Sequence, residues 1–205
     1  MAKPTQPDLP GLEDAGARLP DGVRYVSNLL SPADECKAAA VIAALDLHPF
    51  AFRGYLGNRR TASFGWHYDF QGGGLATAAA LPSALLPYRA LVAEFAGLEA
   101  DNLEHCLAIE YAPGAGIGWH RDRPEFGLVA ALSFLAPCRM RFRRKAGEGW
   151  ERTAQILEPR SAYVLDGPGR TDWEHSIPAV DALRYSLTFR TLNGSAAASS
   201  MRSKR

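Results

Sequence analysis

Three side chains in this sequence are of types that bind a divalent metal ion, and two of them are only two residues apart. His120 and Asp122 lie in GIGWHRDRPEFG, and His175 lies much later, in RTDWEHSIP. Side chains two apart on an extended segment point to the same side, so His120 and Asp122 are expected to face one point. Two imidazoles and a carboxylate leave three metal positions open, as in non-haem Fe(II) sites. A surface pair with a turn-capping histidine is the alternative.

Two arginines point to a second ligand beside such a metal. Arg184 and Arg190 lie six residues apart in RYSLTFR, a stretch rich in apolar and aromatic residues. The even spacing sends both guanidinium groups to one face of a strand. A buried arginine needs an anionic partner, and guanidinium binds a carboxylate through two parallel hydrogen bonds. The pair therefore predicts a dicarboxylic cosubstrate, with two surface arginines on an edge strand as the alternative.

The elements that must position these residues fall into a helical and a β-rich part. Ser31 is a predicted N-cap, followed by Pro32, and the Ala-rich run predicts a helix to about Leu47. A second helix is predicted over 83–96, with an interruption at Pro87. From about residue 103 onward, short apolar stretches separated by Pro and Gly predict strands: HCLAIEY, LVAALSFL, CRMRFRR, TAQILE, SAYVLDG and LRYSLTFRTL.

The order of these elements indicates an α+β chain that is mainly β. Many short strands with regular turn signals are typical of a sandwich or barrel, and a jelly roll with N-terminal helices fits the pattern. The chain has 205 residues, which suits one domain over 21–193. We expect a flexible segment over 1–20, rich in Pro, Gly and Asp, and a flexible basic tail over 194–205.

Composition narrows the class of protein and its surroundings. The net charge is +1, so any contact with nucleic acid must come from a local basic surface. The three cysteines have no CxxC spacing, which argues against a disulfide framework or a zinc knuckle and fits a reducing cytosol. We find no secretory signal and no apolar stretch that spans a bilayer, and therefore expect a cytoplasmic monomer without a membrane partner.

Taken together, EYAPGAGIGWHRD, WEHSIP and RYSLTFR resemble the AlkB family of Fe(II)/2-oxoglutarate-dependent dioxygenases. The resemblance covers roughly residues 104–192, and its RYxLTFR stretch is highly specific. It implies a double-stranded β-helix, or jelly roll, with N-terminal helices and a substrate-recognition lid. It also implies Fe(II) as the metal, with 2-oxoglutarate and dioxygen as cosubstrates.

The resemblance carries roles to individual residues. His120, Asp122 and His175 would hold Fe(II). Arg184 would bind the distal carboxylate of 2-oxoglutarate with help from the phenol of Tyr111, and Arg190 would support the other carboxylate and the aspartate ligand.

Two positions of the cosubstrate pocket depart from the family pattern. Ile109 and Ser186 stand where the family often has asparagine, and both positions usually touch the cosubstrate. Fewer hydrogen bonds to 2-oxoglutarate are therefore expected in this chain.

The substrate residues are predicted from the lid region and the loop after Asp122. Trp66 and Tyr68, with Arg60 nearby, are suited to stacking a flipped base and binding phosphate. Ordinary core packing of these aromatic residues is the alternative. The family often places an acidic residue two positions after the metal aspartate; this chain has Pro124 there, with Glu125 next. That departure argues against classical repair of alkylated DNA and leaves RNA, tRNA and protein open.

A basic strand offers a further contact for a polyanion. In CRMRFRRK, the cationic residues Arg139, Arg141 and Arg143 alternate with Met140 and Phe142. Alternation puts the arginines on one face of a strand, where they can guide a nucleic acid. A solvated sheet face is the equally simple alternative.

These observations favour one function and keep two alternatives. We expect a dioxygenase that oxidatively demethylates alkylated nucleic acid, with methylated DNA or RNA as its partner. The first alternative is a hydroxylase or demethylase of protein. The second is a non-catalytic jelly-roll binding module that uses the basic strand.

Overall fold

The computed structural model describes residues 18–52, 55–68 and 74–193. The predicted flexible segment over 1–20 lies almost wholly outside these residues, and the predicted basic tail over 194–205 lies wholly outside them. Within the described part, the helices are α1 (Pro32–Ala43), α2 (Leu86–Ala96) and the short α3 (Gly167–Thr171), with 3-10 turns at Ser83–Leu85 and Ala100–Asn102.

Thirteen strands form the rest of the described regular structure. They are β1 (Val23–Val26), β2 (His48–Phe52), β3 (Tyr55–Phe64), β4 (Trp66–Tyr68), β5 (Leu75–Thr77), β6 (His105–Tyr111), β7 (Ile117–His120), β8 (Phe126–Phe134), β9 (Cys138–Ala146), β10 (Gly149–Leu157), β11 (Ser161–Leu165), β12 (Glu174–Ile177) and β13 (Arg184–Leu192).

Two antiparallel sheets dominate the described part of the chain. The large sheet has the order β1-β11-β8-β13-β6-β3-β2, and the small sheet has the order β10-β9-β12-β7. Strands β4 and β5 form a separate two-stranded ribbon. Apart from the hairpins β2-β3 and β9-β10, neighbours in the two sheets are not consecutive in sequence, as the crossing connections of a jelly roll require. The predicted fold class is therefore confirmed.

Each long strand of the large sheet contributes to two cores, because its side chains alternate between faces. One face packs on α1 and α2. The core between them includes Ile42 and Val92 of the helices and Leu132, Phe134, Leu187 and Phe189 of the sheet.

The other face packs against the small sheet. The core between the two sheets includes Ile109 and Val129 of the large sheet and Met140, Phe142, Leu157 and Ile177 of the small one. The predicted metal and cosubstrate residues lie at this second interface.

The two helices differ from their predictions at one end each. Helix α1 begins as expected, since the Ser31 hydroxyl accepts a hydrogen bond from the amide of Asp34 at 3.1 Å. It ends at Ala43 rather than Leu47, and the chain is extended from His48 onward, where Pro49 disfavours helix in the residue ahead of it. Pro87 does not interrupt α2 but lies in its first turn, where a missing amide hydrogen costs nothing.

The segment between the two helices is a strand region that the sequence did not predict. It contains β2, β3, β4 and β5, and β3 extends the large sheet by pairing with β6. No helix among the described residues is long and apolar enough to cross a membrane.

Candidate metal centre

Two neighbouring strands of the small sheet bring the predicted metal ligands together. His175 of β12 lies directly opposite His120 of β7 in the antiparallel register, with ring centroids 4.3 Å apart. Asp122 follows two residues after His120, just beyond the end of β7. One potential ligand atom from each of the three residues lies within 4.8 Å of the others. His175 lies inside a strand, so the turn-capping alternative does not describe it.

A backbone contact fixes the orientation of the His120 ring. Nδ1 of His120 lies 2.8 Å from the carbonyl oxygen of Gly118, which can only accept. Nδ1 therefore carries the hydrogen, and the lone pair is on Nε2. That atom lies 3.9 Å from Oδ1 of Asp122. A histidine that donates its second ring nitrogen to a carbonyl is the usual arrangement for a metal ligand.

Arg190 holds the Asp122 carboxylate in its charged form. Its Nε donates to Oδ2 of Asp122 at 3.0 Å, which leaves Oδ1 on the side of His120. Burial acts to raise the pKa of Asp122, but the charge and the hydrogen bond of Arg190 outweigh it, and the pKa lies below its ordinary value. A second nitrogen of Arg190 contacts Nδ1 of His105 at 3.2 Å. His105 therefore helps to hold the Arg190 guanidinium in place.

Burial favours the neutral form of both imidazoles. Burial, followed by the neighbouring His120, lowers the pKa of His175 to about 3. Burial also lowers the pKa of His120. Metal ligation requires neutral imidazole and ionised carboxylate, so two neutral ligands and one anion are ready for a divalent cation.

Arg184 is a second buried group whose contacts point to a ligand. Its side chain is fully buried, with 1% of its surface exposed, and it lies opposite Tyr111 in the register of β13 and β6. Its Nε donates to Ser133 Oγ at 3.2 Å, and its Cζ lies 4.9 Å from the Tyr111 ring centroid. Both terminal nitrogens are buried without a hydrogen-bond partner among the described residues. An unpaired buried charge is costly, and this pair of donors matches a carboxylate.

Ile109 and Ser186 face each other across β6 and β13 on the same interior side. Ile109 is buried, and its side chain presents only apolar atoms to the interior. The Ser186 hydroxyl donates to the carbonyl of Leu132 at 3.1 Å, so its hydrogen is already used. Both side chains line the interior without aiming a free donor into it.

Arg170 is a residue at this site that sequence reasoning missed. It is buried in α3, and its guanidinium donates to the backbone carbonyls of Arg123, Phe126 and Gly127 at 2.6, 2.8 and 3.1 Å. These carbonyls belong to the segment that follows Asp122. One arginine therefore fixes the course of this segment, although its position in DGPGRT carried no signal of that role.

Tyr68, one of the two predicted substrate residues of the ribbon, lies against the loop after Asp122. The Arg123 guanidinium stacks on the Tyr68 ring with 3.9 Å between Cζ and the ring centroid. Trp66 is half-buried two residues earlier on the same strand. Oε2 of Glu125 is buried without a hydrogen-bond partner among the described residues. Substrate contact by these three residues stays a prediction.

The structure does not bring Arg60 to this site. Arg60 donates to both carboxylate oxygens of Glu110, at 2.7 and 2.8 Å, on the face of the large sheet that is turned away from Tyr111. Its neighbour Arg59 lies directly opposite Tyr111. The sequence shows an arginine pair, and only the register with β6 shows which of the two faces the metal centre.

Comparison with known proteins identifies relatives for most of the chain. The family model described as the 2OG-Fe(II) oxygenase superfamily matches residues 22–190. A curated protein named alkylated DNA repair protein ALKBH8 homolog, from Arabidopsis thaliana, is 30% identical over 99 residues. That alignment covers 40% of this chain and 29% of the relative, so most of the relative has no counterpart in it.

Solved structures share the fold at low sequence identity. The structure of OsALKBH1 has a TM-score of 0.66 at 13% identity and covers 85% of this chain and 98% of its own. A prolyl-4-hydroxylase from Pseudomonas putida has a TM-score of 0.55 at 19% identity, with coverages of 84% and 94%. At this identity the two structures establish a common fold and nothing more specific.

Removing the Arg170 guanidinium should destabilise the protein. Arg170→Ala leaves three carbonyls without their charged donor, and we expect the free energy of unfolding to fall by about 3 kcal/mol. Urea unfolding followed by circular dichroism measures it. Arg144→Ala is the matched control, because Arg144 is 41% exposed and pairs with Glu151 at the surface. Its loss should cost at most about 1 kcal/mol. Equal effects of the two substitutions would contradict the role of Arg170.

Proposed function

Because the chain belongs to the 2OG-Fe(II) oxygenase superfamily, we propose that His120, Asp122 and His175 hold its ferrous ion. The superfamily uses Fe(II), 2-oxoglutarate and dioxygen, so the chain is an oxidoreductase. The family match confirms the dioxygenase part of the assignment made from the sequence, and the curated relative named as an ALKBH8 homolog supports its AlkB-like part. One observation supports the ligand set above the others: three convergent ligand atoms with the protonation states that a divalent cation needs.

We further propose that Arg184 binds the distal carboxylate of 2-oxoglutarate. The support is its pair of buried terminal nitrogens, which lack a partner among the described residues and lie beside Tyr111. Arg190 has a different task, because it is already bound to Asp122. Six residues of strand span about 20 Å, so the two arginines serve opposite ends of the site.

The protein's own groups prepare the site for oxidation. When bound, ferrous iron and 2-oxoglutarate supply the hydroxylation of a C–H bond by dioxygen, with succinate and carbon dioxide as co-products. Arg190 keeps Asp122 ionised, and burial keeps His175 neutral. The apolar side chains of Met140 and Phe142 on the interior face of β9 keep bulk water away.

For the substrate, we propose an N-methylated base of a nucleic acid. Hydroxylation of the methyl group gives a hemiaminal, which releases formaldehyde and leaves the N–H. Tyr68 and Trp66 are suited to stacking on a base, and Arg59, rather than Arg60, has the position to approach its phosphate. Glu125 would contact the base through its unpartnered carboxylate oxygen. The curated relative, whose name is that of an alkylated DNA repair protein homolog, favours this class of substrate over protein.

Removing the only anionic ligand should abolish turnover. Asp122→Ala leaves two neutral imidazoles, which cannot balance the charge of a divalent cation, so iron-dependent formation of succinate from 2-oxoglutarate should disappear while the circular dichroism spectrum is unchanged. Asp46→Ala is the control, because its carboxylate is 89% exposed and remote from the centre. Wild-type turnover in Asp122→Ala would overturn the ligand assignment.

Removing the Arg184 guanidinium should raise the KM for 2-oxoglutarate. Loss of a charge-assisted pair worth about 1.5–3 kcal/mol corresponds to a rise of roughly 10- to 150-fold. Arg184→Lys, which keeps the charge but not the paired donors, should give a smaller rise than Arg184→Ala. Arg24→Ala is the control, since Arg24 donates to carbonyls of Phe95 and Ala96 on the helical side. An unchanged KM in Arg184→Ala would refute the assigned role.

The substrate class is tested by release of formaldehyde. The enzyme with iron and 2-oxoglutarate should release formaldehyde from a single-stranded oligonucleotide that carries 1-methyladenine or 3-methylcytosine, and mass spectrometry should show loss of the methyl group. A peptide with methylated lysine is the matched alternative. Release from the peptide but not from the oligonucleotides would replace nucleic acid by protein as the substrate.

A further inference from the structure

The outward face of the small sheet combines tryptophan with cationic side chains. Met140 and Phe142 of β9 point into the core, so the odd-numbered residues of this strand point outward. We call the following set the outer basic face: Trp119 of β7, Arg139, Arg141, Arg143 and Lys145 of β9, and Trp150 and Arg152 of β10. The iron site uses the opposite face of the same sheet, so the proposed ligands do not explain this one.

Indole rings hold the cations of the outer basic face in place. The Cζ of Arg143 lies 4.4 Å from the ring centroid of Trp119 and 4.3 Å from that of Trp150. Lys145 Nζ lies 4.6 Å from the Trp150 ring, and Arg141 Cζ lies 5.1 Å from the Trp119 ring. Cations stacked on rings have lost part of their rotamer freedom before any ligand arrives, which lowers the cost of binding.

The charge of this face is unbalanced, although the whole chain is nearly neutral. The strands of the small sheet place five cationic side chains outward against one carboxylate, Glu174, which Arg143 contacts at 2.6 Å. Arg152 lies directly opposite Arg143, and like charges in that position are destabilising. The net charge of the chain is only +1. A bound polyanion would relieve this repulsion.

The outer basic face is continuous with the metal centre. Trp119 immediately precedes the proposed ligand His120, and Arg121 follows it. Arg121 also lines a cleft of 380 Å³ whose other cations are Arg143, Arg144 and Lys145 and whose carboxylates are Glu151, Asp172 and Glu174. Because β7 is the edge strand of the small sheet, a chain lying on the outer basic face can reach the proposed ligands on the inner face by passing around this edge.

We propose that the outer basic face binds the backbone and bases of a single-stranded nucleic acid whose modified base enters the metal centre. This inference rests on the proposed function. Cations that track phosphates, interleaved with aromatic rings on which bases stack, are the combination that single strands require. An acidic peptide has no bases to stack. A duplex would have to be unpaired before its base could reach the iron, which a single strand avoids.

Salt dependence of binding tests the phosphate contacts. Fluorescence anisotropy of a labelled 12-nucleotide single strand is measured over a range of salt for the full chain and for the triple variant Arg139→Gln, Lys145→Gln and Arg152→Gln. Each phosphate contact adds about 0.7 to the slope of log K against log salt, so the slope should fall in magnitude by about 2. The matched control removes three cations elsewhere, with Arg18→Gln, Lys37→Gln and Arg160→Gln, and should leave the slope unchanged.

Substitution of Trp150 tests the stacking contact without changing the charge. Trp150→Ala should weaken binding roughly tenfold, and Trp150→Phe, which keeps a ring, should retain most of the affinity. Urea unfolding of both variants checks that the fold is kept. Equal affinity of Trp150→Ala and the wild type would show that no base stacks on Trp150 and would contradict this part of the proposal.

The outcomes separate this proposal from the proposed function. If the enzyme demethylates an oligonucleotide but the salt slope is unchanged in the triple variant, the outer basic face does not bind the nucleic acid. This result would contradict the present inference and leave the proposed function intact. Binding that falls in the triple variant but persists in Asp122→Ala would support the face independently of turnover. Binding of polyglutamate or of anionic lipid vesicles as tight as that of the oligonucleotide, and equally lost in the triple variant, would overturn nucleic acid as the occupant.

Discussion

The register between β7 and β12 is the constraint on which the metal centre depends. It places His175 directly opposite His120, so two of the proposed ligands come from facing positions of adjacent strands rather than from loops. A slip of one residue would turn the His175 ring to the outer face and bring Ser176 or Glu174 inward. Pairing of β12 with β9 opposes such a slip, because it sets His175 beside the buried Phe142.

Three buried arginines surround this centre, and each is compensated differently. Arg190 is neutralised by Asp122, and Arg170 is satisfied by backbone carbonyls. Arg184 has only Ser133 and the face of Tyr111 among the described residues. Since an uncompensated buried cation is expensive, Arg184 is the position where binding of an anion gains most. The protein therefore carries a destabilising charge that its cosubstrate is suited to neutralise, which couples stability to cosubstrate binding.

The sequence predicted those features that follow from local periodicity. HCLAIEY matches β6 in both bounds, and Ser31 caps α1 as expected. The jelly roll and the convergence of the triad followed from strand pattern and motif. The sequence did not predict β2 to β5, since their glycines, arginines and aromatic residues give no clean alternation. The roles of Arg170 and Arg60 depend on long-range contacts: the first on three distant carbonyls, the second on which neighbour of β6 it faces.

The period of a β-strand explains how one sheet can carry out two tasks. On β12, His175 points to the metal centre while Glu174 points outward to Arg143. On β9, Phe142 walls the interior while Arg143 stacks between two indoles. Because the sheet is a single layer, charge on the outer face changes without altering the packing of the inner one. The proposed binding of a polymer and the proposed oxidation of one of its groups thus use opposite faces of one sheet, so that residues of either face can change independently of the other.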